Sequence, residues 1–149
     1  MVDVQAVGND QIVSEVMIDA SPEIVFAALT DPAKLKIWWG DDENYHSDHW
    51  TIDLRVGGQW RSEGIGGNKK PYLVYGEFVE IDPPRVLAYT WNPSWVEAPG
   101  TVVRYELTPK GNGTHLRVTH SGFAGNEKAR EQHSGWPRVL NWLKSYVER

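Results

Sequence analysis

The chain has 149 residues, a formal net charge of −5 and no cysteine. That length suits a single domain with a real core. Lack of cysteine excludes disulfides, thiolate nucleophiles and cysteine-held zinc or iron–sulfur centres, and an acidic balance without a Lys/Arg cluster argues against nucleic acid or an anionic membrane surface as partner.

Residues 1–10 lack the basic-then-apolar pattern of a signal peptide, and no apolar run approaches the roughly 18 residues of a spanning helix. The expected address is cytoplasmic, with 1–10 a flexible lead-in and 11–149 one domain. Eight Trp, six Tyr and three Phe are the unusual feature of the composition. Trp needs a partner for its N–H when buried, so such usage points to a large interface, a ligand cavity or a core under a strongly curved sheet.

Gln11 to Asp19 is β-rich and reads as a first strand. Ser21-Pro22-Glu23 is a helix start, with Ser as N-cap, Pro at the first position and Glu at the positive end of the dipole. Asp31-Pro32 repeats that start, so two short helices form a V that ends at Gly40. Residues 41–47 are polar and read as a loop. Trp50, Ile52 and Leu54 alternate with polar residues as a half-buried strand, and Gly57-Gly58 signals a hairpin into Gln59–Gly64.

Tyr72 to Ile81 is a long strand in which Gly76 marks a bulge or a close backbone approach. Both of its faces are apolar, which leaves its inward side open. Pro83-Pro84 stops it. Arg85–Trp91, then a strand through Val103, Tyr105 and Leu107, then one through Leu116, Val118 and His120 follow at hairpin spacing. Finally Trp136, Val139, Leu140, Leu143 and Val147 recur at i, i+3, i+4, i+7 and i+11, the stripe of a core-facing helix. One amphipathic helix after many strands needs a sheet to bury its stripe. The expected class is α+β, a curled antiparallel sheet of about seven strands around a long C-terminal helix.

The segments DASPEIVFAALTDPAKLKIWWG, DLRVGGQWR, GEFVEIDPPRVLAYTW, GTHLRVTHSGF and GWPRVLNWLKSYV, in that order, carry a family likeness. The chain resembles the family named after the C-terminal domain of the activator of heat-shock-protein-90 ATPase, within the START-like (SRPBCC) helix-grip superfamily. The likeness runs from about Ile12 to Val147. It implies a deep apolar cavity between sheet and C-terminal helix. The eukaryotic co-chaperone resembles this chain in its C-terminal half alone, and a fold does not by itself grant a reaction.

On the face expected to look toward the helix stand Trp60, Tyr89, Trp91, Tyr105 and His120. The helix adds His133 and Trp136 if its wheel extends back toward Asn126, and the end of the V adds Trp38 and Trp39. Tyr75 joins them if its strand turns that way. Together these residues are expected to line a site for a small hydrophobic molecule, aromatic or lipid-like.

No Asp or Glu can be placed beside His120 or His133, so no catalytic residue is assigned, and a structural, fully bonded histidine is the competing reading of each. An alternative is a polyketide cyclase/aromatase-like enzyme using His120 with the cavity tyrosines. A third reading is a chaperone-interaction module, in which exposed Trp95 or Trp142 would form an apolar surface patch. The cluster His46, Asp48, His49 reads as a solvated loop, and no metal or cofactor is expected. Pro137 either kinks a helix that begins near Asn126 or sits in the first turn of one that begins at Ser134.

Overall fold

The computed structural model describes residues 2–7, 11–41, 45–66, 69–94, 100–123 and 135–149, with the backbone alone at 2–7, 41, 45, 46 and 48. The strands are β1 (Val2–Val7), β2 (Gln11–Ile18), β3 (Gly40–Asp41), β4 (Tyr45–Ile52), β5 (Gln59–Gly66), β6 (Pro71–Asp82), β7 (Val86–Pro93), β8 (Thr101–Lys110) and β9 (Gly113–Ser121). The helices are α1 (Pro22–Thr30), α2 (Pro32–Trp38) and α3 (Trp136–Val147). All strand pairs are antiparallel, in the spatial order β1-β2-β9-β8-β7-β6-β5-β4-β3.

The expected strands are β2 and β4 to β9, and two more extend the sheet at its edges. β1 falls in the expected lead-in and pairs residue for residue with β2, from Val2↔Val16 to Val7↔Gln11. β3 is a two-residue strand on β4. The polar 41–47 segment was expected as a loop, yet β4 already begins at Tyr45 and carries an irregularity between Ser47 and His49. Polar composition misled there because a strand with a bulge loses strict alternation. Glycines 57 and 58 do not close a two-residue turn: residues 53–58 connect β4 to β5, and Gly57 N–H and Gly58 C=O bond across to Phe78.

The helical V forms as its caps dictate. Ser21 Oγ accepts from Ile24 N–H at 3.3 Å, and Asp31 Oδ1 accepts from Ala33 N–H at 2.9 Å, each ahead of a proline in the first turn. Trp38 Nε1 donates to the Ala28 carbonyl at 2.8 Å, tying the second arm of the V to the first. Trp38 therefore braces the V.

α3 buries Trp136, Val139, Leu140 and Leu143, with Val147 partly buried at its end. It packs against β1, β2 and both arms of the V. Its N-cap is Gly135, and Pro137 lies in the first turn, where a missing N–H costs nothing. The described helix begins at Trp136, and the stretch 126–133, expected as helix in one of the two readings, lies outside the described residues. At the other end Lys144 Nζ donates to the Met17 carbonyl at 2.8 Å, and Asp19 N–H donates to Glu148 Oε2 at 2.7 Å. These bonds latch the helix end to the end of β2.

The outer face of the sheet is an ion ladder. Arg104 lies 3.1 Å from Glu80 and also pairs with Glu106, while Arg117 approaches Glu106 at 3.9 Å and Glu15 at 3.8 Å. The bond to Glu80 is the main reason the Arg104 guanidinium is raised above its ordinary value. Such a solvated ladder needs no ligand to explain it.

Candidate functional site

Strand alternation sends Trp60, Val74, Phe78, Tyr89, Trp91, Val103, Tyr105, Leu116, Val118 and His120 to the buried face. The V contributes Trp39 and α3 contributes Trp136, so the inner face is a cluster of rings. Trp39 sits within 5.6 Å of Trp50, 6.1 Å of Trp136 and 6.2 Å of Trp91, centroid to centroid. Trp60 lies 4.8 Å from Tyr89 and 5.7 Å from Trp91, and Tyr105 lies 6.0 Å from Trp136. Most of these pairs are tilted or edge-on, the arrangements a ring quadrupole favours. The hydroxyls of Tyr89 and Tyr105 share a hydrogen bond of 2.7 Å.

Of the residues expected here, Trp38, Trp39, Trp60, Tyr89, Trp91, Tyr105, His120 and Trp136 are all buried. Tyr75 is not among them. It is 49 % exposed on the outer face, because β6 turns Val74, Gly76 and Phe78 inward. Gly76 explains the local geometry: an added Cβ would lie 1.8 Å from the Thr90 carbonyl oxygen and 2.6 Å from Trp60 Nε1. Without that side chain, Trp60 Nε1 reaches the Thr90 carbonyl at 3.2 Å, and Glu77 N–H turns to Thr90 Oγ1 at 2.9 Å. His133 and Trp95 lie outside the described residues.

His120 is wholly buried and bonded at both nitrogens. Trp136 Nε1, which can only donate, gives its hydrogen to Nδ1 at 3.1 Å. Nε2 therefore carries the ring hydrogen and meets Thr101 Oγ1 at 2.7 Å, and Thr101 Oγ1 in turn donates to the Trp91 carbonyl at 3.3 Å. This chain ties β7, β8, β9 and α3 together. It matches the structural reading of His120, and neither nitrogen is left to meet a substrate. Thr101 was not singled out from the sequence, since nothing local distinguishes it from other strand threonines.

Free space lies elsewhere than expected. Leu29 and Leu35 of the V with Trp39, then Trp50, Ile52, Trp60, Phe78, Tyr89 and Tyr105 from the sheet, enclose an internal gap of about 10 Å³. That is room for about one water molecule. It sits under the V and not beneath the first turn of α3. Trp50 and Ile52 were readable as inward by alternation with Thr51, but the strand's contact with α2 was not. Trp50 Nε1 and Ser62 Oγ on this inner face are fully covered without a hydrogen-bond partner, as is Ser14 Oγ further along the sheet on β2. Trp50 and Ser62 stand opposite one another in the β4–β5 register.

Two further expectations meet the structure here. Trp142 is partly buried against the core, with the Arg138 guanidinium 5.5 Å above its ring, so it offers no broad apolar patch. Among the described residues, no three His, Asp or Glu side chains come together as metal ligands would, and no helix is long and apolar enough to cross a membrane.

A curled antiparallel sheet closing on a C-terminal helix, with a helical V after an early strand, defines the helix-grip α+β class. The family described as activator of Hsp90 ATPase homolog 1-like protein matches residues 19–148, and the chain belongs to it. Among solved structures, the chain is similar to protein Ms6760 from Mycobacterium smegmatis at 16 % identity and a TM-score of 0.82, covering 97 % of this chain and 93 % of that one. An AHSA1-like protein from Aeromonas hydrophila is similar at 24 % identity and a TM-score of 0.76, covering 93 % and 92 %. Protein MLL2253 from Mesorhizobium loti is similar at 26 % identity and a TM-score of 0.75, covering 93 % and 97 %. No curated protein matches the chain.

Proposed function

We propose that this chain binds a small hydrophobic molecule, aromatic or lipid-like, on the ring-lined inner face between the sheet and its helices. The observation that carries the reading is the enclosure itself. Rings from the end of the V (Trp39) and from β4, β5, β6, β7 and β8 converge on one gap whose lining is almost wholly apolar, the lining chemistry of a small-molecule site. Family membership supports it in the same direction, since helix-grip proteins of this superfamily are expected to enclose a ligand there.

At about 10 Å³ the gap is closed around roughly one water, so a ligand enters by displacing a wall. α2 is the mobile candidate by construction. It has seven residues, and Trp38 Nε1 to Ala28 is a side-chain bond joining it to α1. Moving α2 costs that bond, about 0.5–1.5 kcal/mol, and uncovers the buried Leu35 and Trp38, at about 1.5–3 kcal/mol each, a cost that the ligand's own buried surface has to exceed. Trp39, Trp50 and Trp60 all border the gap, so occupancy must perturb tryptophan emission.

The test is a fluorescence titration with lipids, flavonoids and polyketides, paired with native mass spectrometry of the purified protein for bound molecules. Saturable quenching at a stoichiometry of one is the expected result. A flat titration across the panel together with a ligand-free mass spectrum would sink the reading.

A further inference from the structure

Among the covered polar atoms without a hydrogen-bond partner, which include Ser14 Oγ on β2, those of Trp50 and Ser62 stand on facing residues of one strand pair. Trp38 Nε1 is taken up by Ala28, Trp60 Nε1 by Thr90 and Trp136 Nε1 by His120. Trp50 Nε1 and Ser62 Oγ are covered and unbonded. A buried donor left unmet destabilises the fold, so two on facing residues of one strand pair is a standing cost that an occupant would remove. Opposite residues on one face of an antiparallel pair hold their Cβ atoms about 4.5–5.5 Å apart, so the two side chains stand side by side.

We propose that Trp50 and Ser62 form the polar anchor of the ligand site, holding a neutral hydrogen-bond acceptor, a carbonyl oxygen above all, on a small aromatic molecule. This rests on the reading of the inner face as a ligand site. The chemistry of the occupant follows from three facts. Indole N–H can only donate and a serine hydroxyl can donate, so the ligand atom must accept, and a carbonyl oxygen has two lone pairs for them. Among the described residues no Lys, Arg or His lines the gap, so a carboxylate would lose its hydration with no counter-charge there. Trp39, Trp60, Phe78 and Tyr89 supply ring faces and edges, which reward an aromatic body. Of the two residues, Trp50 borders the gap, which has room for about one water, and Ser62 stands beside it in the strand register.

The experiment compares matched probes on the full chain by calorimetry: 1-indanone, indane and indane-1-carboxylate. Wild type should bind 1-indanone about tenfold more tightly than indane, the worth of one good hydrogen bond, and bind the carboxylate more weakly than the ketone. Ser62→Ala and Trp50→Phe should each bring 1-indanone toward the affinity of indane while indane itself changes little. In the ¹H–¹⁵N spectrum the Trp50 indole signal, identified by its loss in Trp50→Phe, should move downfield with 1-indanone and stay near its place with indane.

Equal affinity for 1-indanone and indane in wild type would overturn the anchor and leave a buried water as the partner of both groups. Tight carboxylate binding would overturn the neutral-acceptor assignment. Absence of binding by any of the three would instead strike the ligand-site reading itself. Ser62→Ala removes one covered atom, so it keeps the comparison decisive even if Trp50→Phe folds poorly.

Discussion

Removing Trp136 Nε1 and the His120 ring separately and together tests whether the buried chain from α3 to β7 behaves as one unit. Trp136→Phe keeps an aromatic ring but deletes the hydrogen that His120 Nδ1 accepts at 3.1 Å. The orphaned nitrogen costs about 1–3 kcal/mol, and the lost ring volume adds about 1 kcal/mol or more. His120→Leu leaves the Trp136 indole N–H unmet and breaks the 2.7 Å contact with Thr101 Oγ1, which keeps its bond to the Trp91 carbonyl. Each single variant should lose about 2–4 kcal/mol.

The double variant removes donor and acceptor together, so it should be less damaged than the sum by about 1–2 kcal/mol. Urea unfolding followed by tryptophan emission gives all four stabilities, with the slope checked for constancy. For a domain of this size each kcal/mol corresponds to about 2–4 °C in Tm. Strict additivity would refute the coupling, and with it the claim that His120 is held as a structural acceptor. A long-range ¹H–¹⁵N spectrum showing the ring hydrogen on Nδ1 would refute it independently.

Three more outcomes follow from particular contacts. Glu148→Gln should cost about 0.5–1 kcal/mol at neutral pH, since it weakens a partly exposed latch. The Glu148 carboxyl is held below its ordinary range, chiefly by Asp19 N–H and then by Lys144. A lowered folded value gives stability that is present above about pH 4.3 and lost as pH falls through the folded value, so the gap to the variant should close at acid pH; a gap that widens there would contradict the latch. Gly76→Ala must push aside the Thr90 carbonyl or the Trp60 indole, and should lower the urea midpoint by the equivalent of about 2–3 kcal/mol; an unchanged midpoint would mean the β6–β7 contact is looser than described. Tyr75→Ala, on the outer face, should change stability by about 0.5 kcal/mol or less and leave probe affinity untouched; loss of affinity would return Tyr75 to the site.

Much of this protein is legible in its sequence because the signals are local and periodic. Ser21-Pro22 and Asp31-Pro32 carry their own capping atoms, so both helices of the V start where the residues say. Trp136, Val139, Leu140 and Leu143 share a face by the 3.6-residue period alone. Period-two alternation sorts Tyr89, Trp91, Tyr105 and His120 to the inner side without knowledge of their neighbours.

What only the tertiary structure decided depends on register and on contacts between distant segments. Residues 2–7 do alternate, Val2, Val4 and Ala6 against Asp3 and Gln5, but so short a pattern gains its meaning from the pairing with β2. Tyr75 faces outward because the pairing of β6 with β5 and β7 turns Gly76 inward, on a strand whose two faces are both apolar. His120 was recognisable as a titratable group on an apolar face, but its partners come from β8 and α3. The closing of the gap, and the pairing of Trp50 with Ser62 at its edge, arise from ring packing between the V and the sheet. Sequence periodicity orders each element's faces; it holds no information on how tightly those faces meet, and the candidate site is a product of that fit.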